Sequence, residues 1–100
     1  MDAKPGYAGK IARVDLSTGK VTHIHTEDYA SDFIGGQGMA AKIYWEEVPP
    51  QVQAFDPENR LIFAPGPCAG FNGLAGARWV VCGKSPATTP QFFSHCNMGG

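Results

Sequence analysis

Thirteen consecutive residues, Pro65 to Ala77, read PGPCAGFNGLAGA and hold four glycines and no charged side chain. Glycine and proline at this density rule out a continuous helix or a central strand, because glycine costs conformational entropy and proline removes a backbone donor. A solvated connection is normally polar, so an apolar one is expected to fold back against something. The stretch separates a longer region before it from a shorter one behind it.

Ahead of it, Lys10-Ile11-Ala12-Arg13-Val14-Asp15-Leu16 alternates apolar and polar side chains, then Ser17-Thr18-Gly19-Lys20 turns the chain into Val21-Thr22-His23-Ile24-His25-Thr26. Period-two alternation around a glycine-bearing turn predicts an N-terminal β-hairpin. Thr26 to Ile34 carries a capping residue, early acidic residues, and Tyr29, Phe33 and Ile34 on one helical face, which predicts a short helix stopped by Gly35-Gly36. Met39 to Val48 is rich in helix formers and ends at Pro49-Pro50, which predicts a second helix. Gly35-Gly36-Gln37-Gly38 opens it but lacks the Lys and Ser/Thr of a phosphate-binding P-loop, so it reads as a joint between helices. Gln51 to Asn59 is a polar connection, and Leu61-Ile62-Phe63-Ala64 is a run fit for a buried strand. Beyond the glycine-rich stretch, Arg78-Trp79-Val80-Val81-Cys82-Gly83 predicts another strand and Lys84-Ser85-Pro86 a turn. Gln91 to Ser94 leads a last strand into Cys96-Asn97-Met98-Gly99-Gly100. The fold expected is α+β, rich in β-sheet, with two short helices, spanning residues 1–100 and incomplete in this chain.

A formal net charge of −1, with eight scattered Lys and Arg, gives no field that argues for nucleic acid or an anionic membrane. The first residues lead into no apolar core of signal-peptide length, and the longest apolar runs are too short to span a bilayer. A cytoplasmic protein is expected. Cys68, Cys82 and Cys96 form no closely spaced pair, so ordinary buried thiols are expected rather than a disulfide framework or a zinc site. His23 and His25 share a strand face without a third ligand nearby, which reads as a solvated face. His95 reads as a packed or solvent-facing imidazole.

The order of hairpin, IGGQGMAAK, FDPENRLIFAPGP, a glycine-rich loop, GARWVVCGKSP and NMGG resembles the N-terminal domain of the tungsten-containing aldehyde ferredoxin oxidoreductases, from about Gly9 to Gly100. The family includes the catalytic subunits of class II benzoyl-CoA reductases. The resemblance implies a pair of β-sheets forming the base on which a bis-pterin tungsten cofactor sits. It implies that Arg78 touches the pterin and lies between it and a [4Fe–4S] cluster. It also implies that Asn97 stands near a magnesium ion bridging the pterin phosphates, and that the Gly99 backbone meets the same cofactor. A guanidinium suits phosphate or a pterin ring, an amide oxygen suits a hard cation, and glycine admits close approach. The loop departs from the family pattern, reading GPCAGFNG where it usually runs closer to GPLTGT.

The cluster's cysteine ligands are implied to lie outside this segment, and no catalytic acid or base is expected within it. The implied function is the cofactor-cradling part of an oxidoreductase that turns aldehydes into carboxylic acids and passes electrons to ferredoxin or another electron-transfer protein. The alternatives are part of a benzoyl-CoA reductase type subunit acting on an aryl-CoA, and a non-catalytic binding module whose contact surface is the loop Phe71 to Ala77. The remainder of the enzyme or a partner subunit, in a homo- or hetero-oligomer, is the implied neighbour.

Overall fold

The structure, a computed structural model, describes residues 7–69, 78–87 and 89–99; the expected contact loop Phe71 to Ala77 lies outside them. Among the described residues seven elements follow one another: β1 (Lys10–Asp15), β2 (Lys20–His25), α1 (Glu27–Phe33), α2 (Gly36–Glu47), β3 (Ile62–Pro65), β4 (Trp79–Lys84) and β5 (Phe93–Met98). They form a two-stranded sheet, β1-β2, and a three-stranded sheet in the order β3-β4-β5, antiparallel throughout. The fold is the expected α+β arrangement of two helices and two small sheets.

The first hairpin pairs Lys10 with His25 and Asp15 with Lys20. Its turn is held locally: the Asp15 carboxylate accepts from the amides of Ser17 at 3.0 Å and Thr18 at 3.4 Å, and Gly19 takes a φ of +73°. Short polar side chains that bond back to the backbone are what such turns select. A two-stranded ribbon is marginal by itself. Arg13 ties it to the rest of the chain through an ion pair with Glu47 of α2.

Helix α1 ends one residue earlier than the apolar pattern suggests. Ile34 is 63% exposed and lies outside the helix, with φ +63° and ψ −66°. It is the centre of a γ-turn in which the Gly35 amide donates to the Phe33 carbonyl at 2.6 Å, while the Tyr7 hydroxyl donates to the Ile34 carbonyl at 2.7 Å. Positive φ is disfavoured for a β-branched residue. Helix α2, in turn, starts earlier than its helix formers do: Gly36-Gln37-Gly38 is its first turn, not a separate joint. It stops where Val48 turns extended ahead of Pro49, as the clash before a proline requires.

Met39, Ala40, Ile43 and Tyr44 form the buried stripe of α2. Ala40, 0% exposed, meets Ala64, Val80 and Cys82, with Ile62 and Phe93 packed around them; Tyr44, Val48 and Val52 extend the core. The Tyr44 and Phe93 rings are tilted at 52° with centroids 4.9 Å apart. The run Leu61 to Ala64 is less buried than its composition predicts: only Ala64 is in the core, and Leu61 and Phe63 are exposed. The strand presents one side to α2 and leaves the other uncovered, because side chains alternate.

Several residues of the FDPENR and VVCGKSP segments form one polar junction beneath α2. Tyr44 donates its hydroxyl to Asn59 Oδ1 at 2.6 Å, and Asn59 Nδ2 donates to the carbonyls of Ala54 at 2.9 Å and Lys84 at 3.2 Å. Lys84 Nζ donates to the Pro50 carbonyl at 3.2 Å and to that of Val52. Gln91 Oε1 accepts from the Ala54 amide at 2.8 Å, and Arg60 Nε stands 3.6 Å from Glu47. At Gly83 a Cβ would lie 2.7 Å from the Arg60 carbonyl oxygen, so the strand can pass there only without a side chain.

Two outcomes follow for stability. Gly83→Ala forces backbone apart and is expected to cost about 1–3 kcal/mol, read as a lower urea midpoint at unchanged slope, whereas Gly66→Ala, where a Cβ would meet nothing within 4 Å, leaves the midpoint in place. Ile34→Gly relieves the positive-φ penalty and is expected to raise stability by about 1 kcal/mol; an unchanged or lower midpoint would show that the γ-turn carries no such cost.

Candidate cofactor site

The pairing of β4 with β5 brings the three residues singled out from the sequence to one place. Trp79 faces Met98 and Val80 faces Asn97; one more step of that register sets Arg78, just before β4, opposite Gly99, just after β5. Alternation puts Val80 and Asn97 on one side of the sheet, the side on which Val80 is buried in the core, while Arg78 stands at the sheet end just before β4. Helix α2 contacts β3 and β4, and β5 lies at the sheet edge. Asn97 and Gly99 are accordingly exposed, as is Arg78. Asn97 lies within β5, not in a loop after the last strand as its neighbours suggest.

On the other side of the sheet, Phe63 and Trp79 stack with ring centroids 5.9 Å apart and planes inclined at 26°. Their end of the sheet opens into a concavity of about 300 Å³ lined by Phe63, Ala64, Pro65, Ala69, Arg78 and Trp79. An arginine beside two aromatic rings, a proline and two alanines offers charge for an anion and flat apolar surface for a ring. Sequence reasoning missed Phe63, Pro65 and Trp79. The signal present was a strand apolar on both faces, which a single solvated side does not explain.

What separates the candidates from the other motif residues is that they have no internal task among the described residues. Asn59, Arg60, Gly83 and Lys84 are all engaged in the junction under α2. Among the described residues, neither the Arg78 guanidinium nor the Asn97 side-chain amide has a hydrogen-bond or ion-pair partner, and a Cβ on Gly99 would meet nothing within 4 Å. Packing within the described residues does not require arginine, asparagine or glycine at these positions. An asparagine on an edge strand and an exposed arginine and glycine beside it suit a ligand carrying phosphate or a hard cation.

The remaining candidates lie elsewhere. His23 and His25 are exposed on the outer face of the first hairpin. His95 is exposed on β5, opposite Cys82. Cys82 is 1% exposed, whereas Cys68 and Cys96 are exposed, which corrects the expectation of three buried thiols. Cys68 sits in the turn after β3, and Cys96 points to the uncovered side of the edge strand, where no core reaches it. Among the described residues no group of three or more His, Cys, Asp or Glu is placed to hold a metal ion, and no helix is long and apolar enough to cross a membrane.

The family of the aldehyde ferredoxin oxidoreductase N-terminal domain matches residues 11–100. The tungsten-containing aldehyde ferredoxin oxidoreductases of Pyrococcus horikoshii and Pyrococcus furiosus are each 38% identical over 96 residues, covering 95% of this chain and 16% of their own length. The active-site complex BamBC of benzoyl coenzyme A reductase, solved with 1,5-dienoyl-CoA, is 37% identical with a TM-score of 0.79, over 90% of this chain and 14% of that one. The chain belongs to the aldehyde ferredoxin oxidoreductase family through its N-terminal domain. It spans about one sixth of the length of these relatives.

Burial raises the Cys82 thiol above its ordinary value of 9.0, and burial first, then Glu46, raises the Tyr29 hydroxyl above 10.0. A raised folded-state value means that the unfolded chain releases these protons first. Their contribution to stability is therefore full below pH 9.0 and is lost as pH rises from there through the folded-state values. The expected melting temperature falls as the pH climbs above 9.0, and Cys82→Ala flattens the first part of that fall; an identical decline in the variant would assign it to other groups.

Proposed function

We propose that this chain is the N-terminal, cofactor-cradling part of a tungsten-pterin, iron–sulfur oxidoreductase that oxidises aldehydes to carboxylic acids and passes the electrons to ferredoxin. The observation that carries the reading is the meeting of Arg78, Asn97 and Gly99 at one end of the β4-β5 pair, with no partner among the described residues. The residues present fit the group. Arg78 would donate to pterin or phosphate oxygens, and its charge would offset theirs. The Asn97 amide oxygen would be one ligand of a magnesium ion, with phosphate and water completing the shell. Gly99 would let the backbone approach without a side chain between. Trp79 and Phe63 would exclude water from the adjoining concavity. When bound, the tungsten bis-pterin supplies the two-electron redox chemistry, and the cluster, held by residues outside this segment, the one-electron exit. The segment alone would be inactive, and its working place would be the cytoplasm, inside the complete enzyme or beside a partner subunit.

The likeness to the benzoyl coenzyme A reductase complex supports a second reading, in which the substrate is an aryl-CoA. The two differ in substrate and share the site.

The native polypeptide, purified from its source with everything that accompanies it, is expected to carry stoichiometric tungsten and iron. In it, Arg78→Met removes a charge-assisted bond worth about 1.5–3 kcal/mol and is expected to lower tungsten content roughly ten- to a hundredfold. Metal-free native protein, or full tungsten in the variant, would sink the cofactor-base reading. Reduction of a dye by a panel of aldehydes against a panel of aryl- and dienoyl-CoA thioesters then separates the two substrates.

A further inference from the structure

Gly35 has the extended φ of 172°, a conformation open to any residue, so backbone freedom does not account for a glycine there. Space does. A Cβ at this position would lie 3.2 Å from the Pro65 carbonyl oxygen, 3.2 Å from Pro67 Cδ and 3.3 Å from Gly66 Cα. All three neighbours belong to backbone or to a proline ring, and none is the free end of a flexible side chain. Pro65 and, a little further along, Ala69 line the concavity that also holds Arg78 and Trp79.

We propose that Gly35 is a positioning residue for the candidate cofactor site: its missing side chain lets the Pro65-Gly66-Pro67 turn close against the start of α2, which sets where the Pro65–Ala69 wall stands relative to Arg78. The proposal rests on the cofactor-base reading above and names a residue of that site outside the strands that form it. Neither side of the contact can yield by itself. Helix α2 is fixed five residues on by Ala40, wholly buried against β3 and β4, and cannot back away without opening the core. The turn holds two prolines of restricted φ, so it moves as a body rather than bending around an added methyl group. A displacement of a few tenths of an ångström at Gly35 therefore passes to Pro65, which pairs with Trp79, and along the turn to Ala69.

The test uses the native full-length protein and four variants: Gly35→Ala, Gly66→Ala, Gly35→Ala with Pro67→Ala, and Arg78→Met. The readouts are tungsten retained per polypeptide and alkylation of Cys82, whose thiol is buried in the core beside Ala40. Gly35→Ala is expected to lower tungsten severalfold while Cys82 stays protected. Gly66→Ala, where an added Cβ meets nothing within 4 Å, is expected to retain it. Adding Pro67→Ala removes one of the three atoms that the methyl group would strike, the Pro67 Cδ, and is expected to restore part of the loss. Full tungsten in Gly35→Ala alongside a loss in Arg78→Met overturns the positioning role and leaves the site reading standing. Full tungsten in Arg78→Met overturns the site reading and the proposal with it. Alkylation of Cys82 in Gly35→Ala makes the glycine a general packing residue and overturns the proposal.

Discussion

Everything in this domain hangs on how closely α2 lies on β3 and β4. Two alanines make the contact: Ala40, with no exposed surface, and Ala64, flanked by Val80 and Cys82. Small residues at a helix-to-sheet seam bring backbones together and leave little volume to fill, so position is set by hard contact more than by the amount of apolar surface. Gly35 carries the same closeness to one end of the helix, where a side chain would strike the Pro65–Pro67 turn, and Tyr44 anchors the other end on Phe93 and Asn59. A helix held at three points along its length orients the sheet beneath it, and with it the sheet end that carries Arg78, Asn97 and Gly99.

The polar junction at Asn59 gives the second constraint. One side-chain amide accepts from Tyr44 and donates to the carbonyls of Ala54 and Lys84, joining the helix, the connection after it and β4. Lys84 covers two further carbonyls of the Pro50–Val52 segment, which has no secondary structure to satisfy them. The motif residues thus sort into two kinds. Those engaged here, Asn59, Arg60, Gly83 and Lys84, explain themselves by the fold. Among the described residues Arg78, Asn97 and Gly99 do not, and that contrast, rather than their chemistry alone, is what makes them candidates for a bound group. The chain belongs to the aldehyde ferredoxin oxidoreductase family and spans about a sixth of the curated relatives' length.

The uncovered face of the β3-β4-β5 sheet belongs to the same picture. Phe63, Trp79 and Met98 sit there by alternation, apolar and at least partly exposed, on the side away from α2. Exposed apolar side chains gathered on one face mark contact surfaces.

Local pattern was enough for the elements with strong periodicity or punctuation. Alternation and the Asp15–Gly19 turn predict the first hairpin within a residue or so, and Pro49-Pro50 predicts where α2 stops, because proline acts on its nearest neighbours. Family motifs legible in the chain pointed to Arg78, Asn97 and Gly99 before any geometry. Three things were decided only in three dimensions. The break between the helices falls at Ile34, a residue no propensity would choose for positive φ, since the Tyr7 bond to its carbonyl and the packing of Gly35 act on it from elsewhere. The glycines of IGGQG look like a flexible joint in one dimension and are instead the first turn of a helix pressed against a distant proline turn. Finally, Phe63 and Trp79 stack because antiparallel register sets them diagonally across β3 and β4 on one face. Sequence carries the information that depends on neighbours along the chain; contact between residues tens of positions apart is settled by packing, which local pattern does not encode.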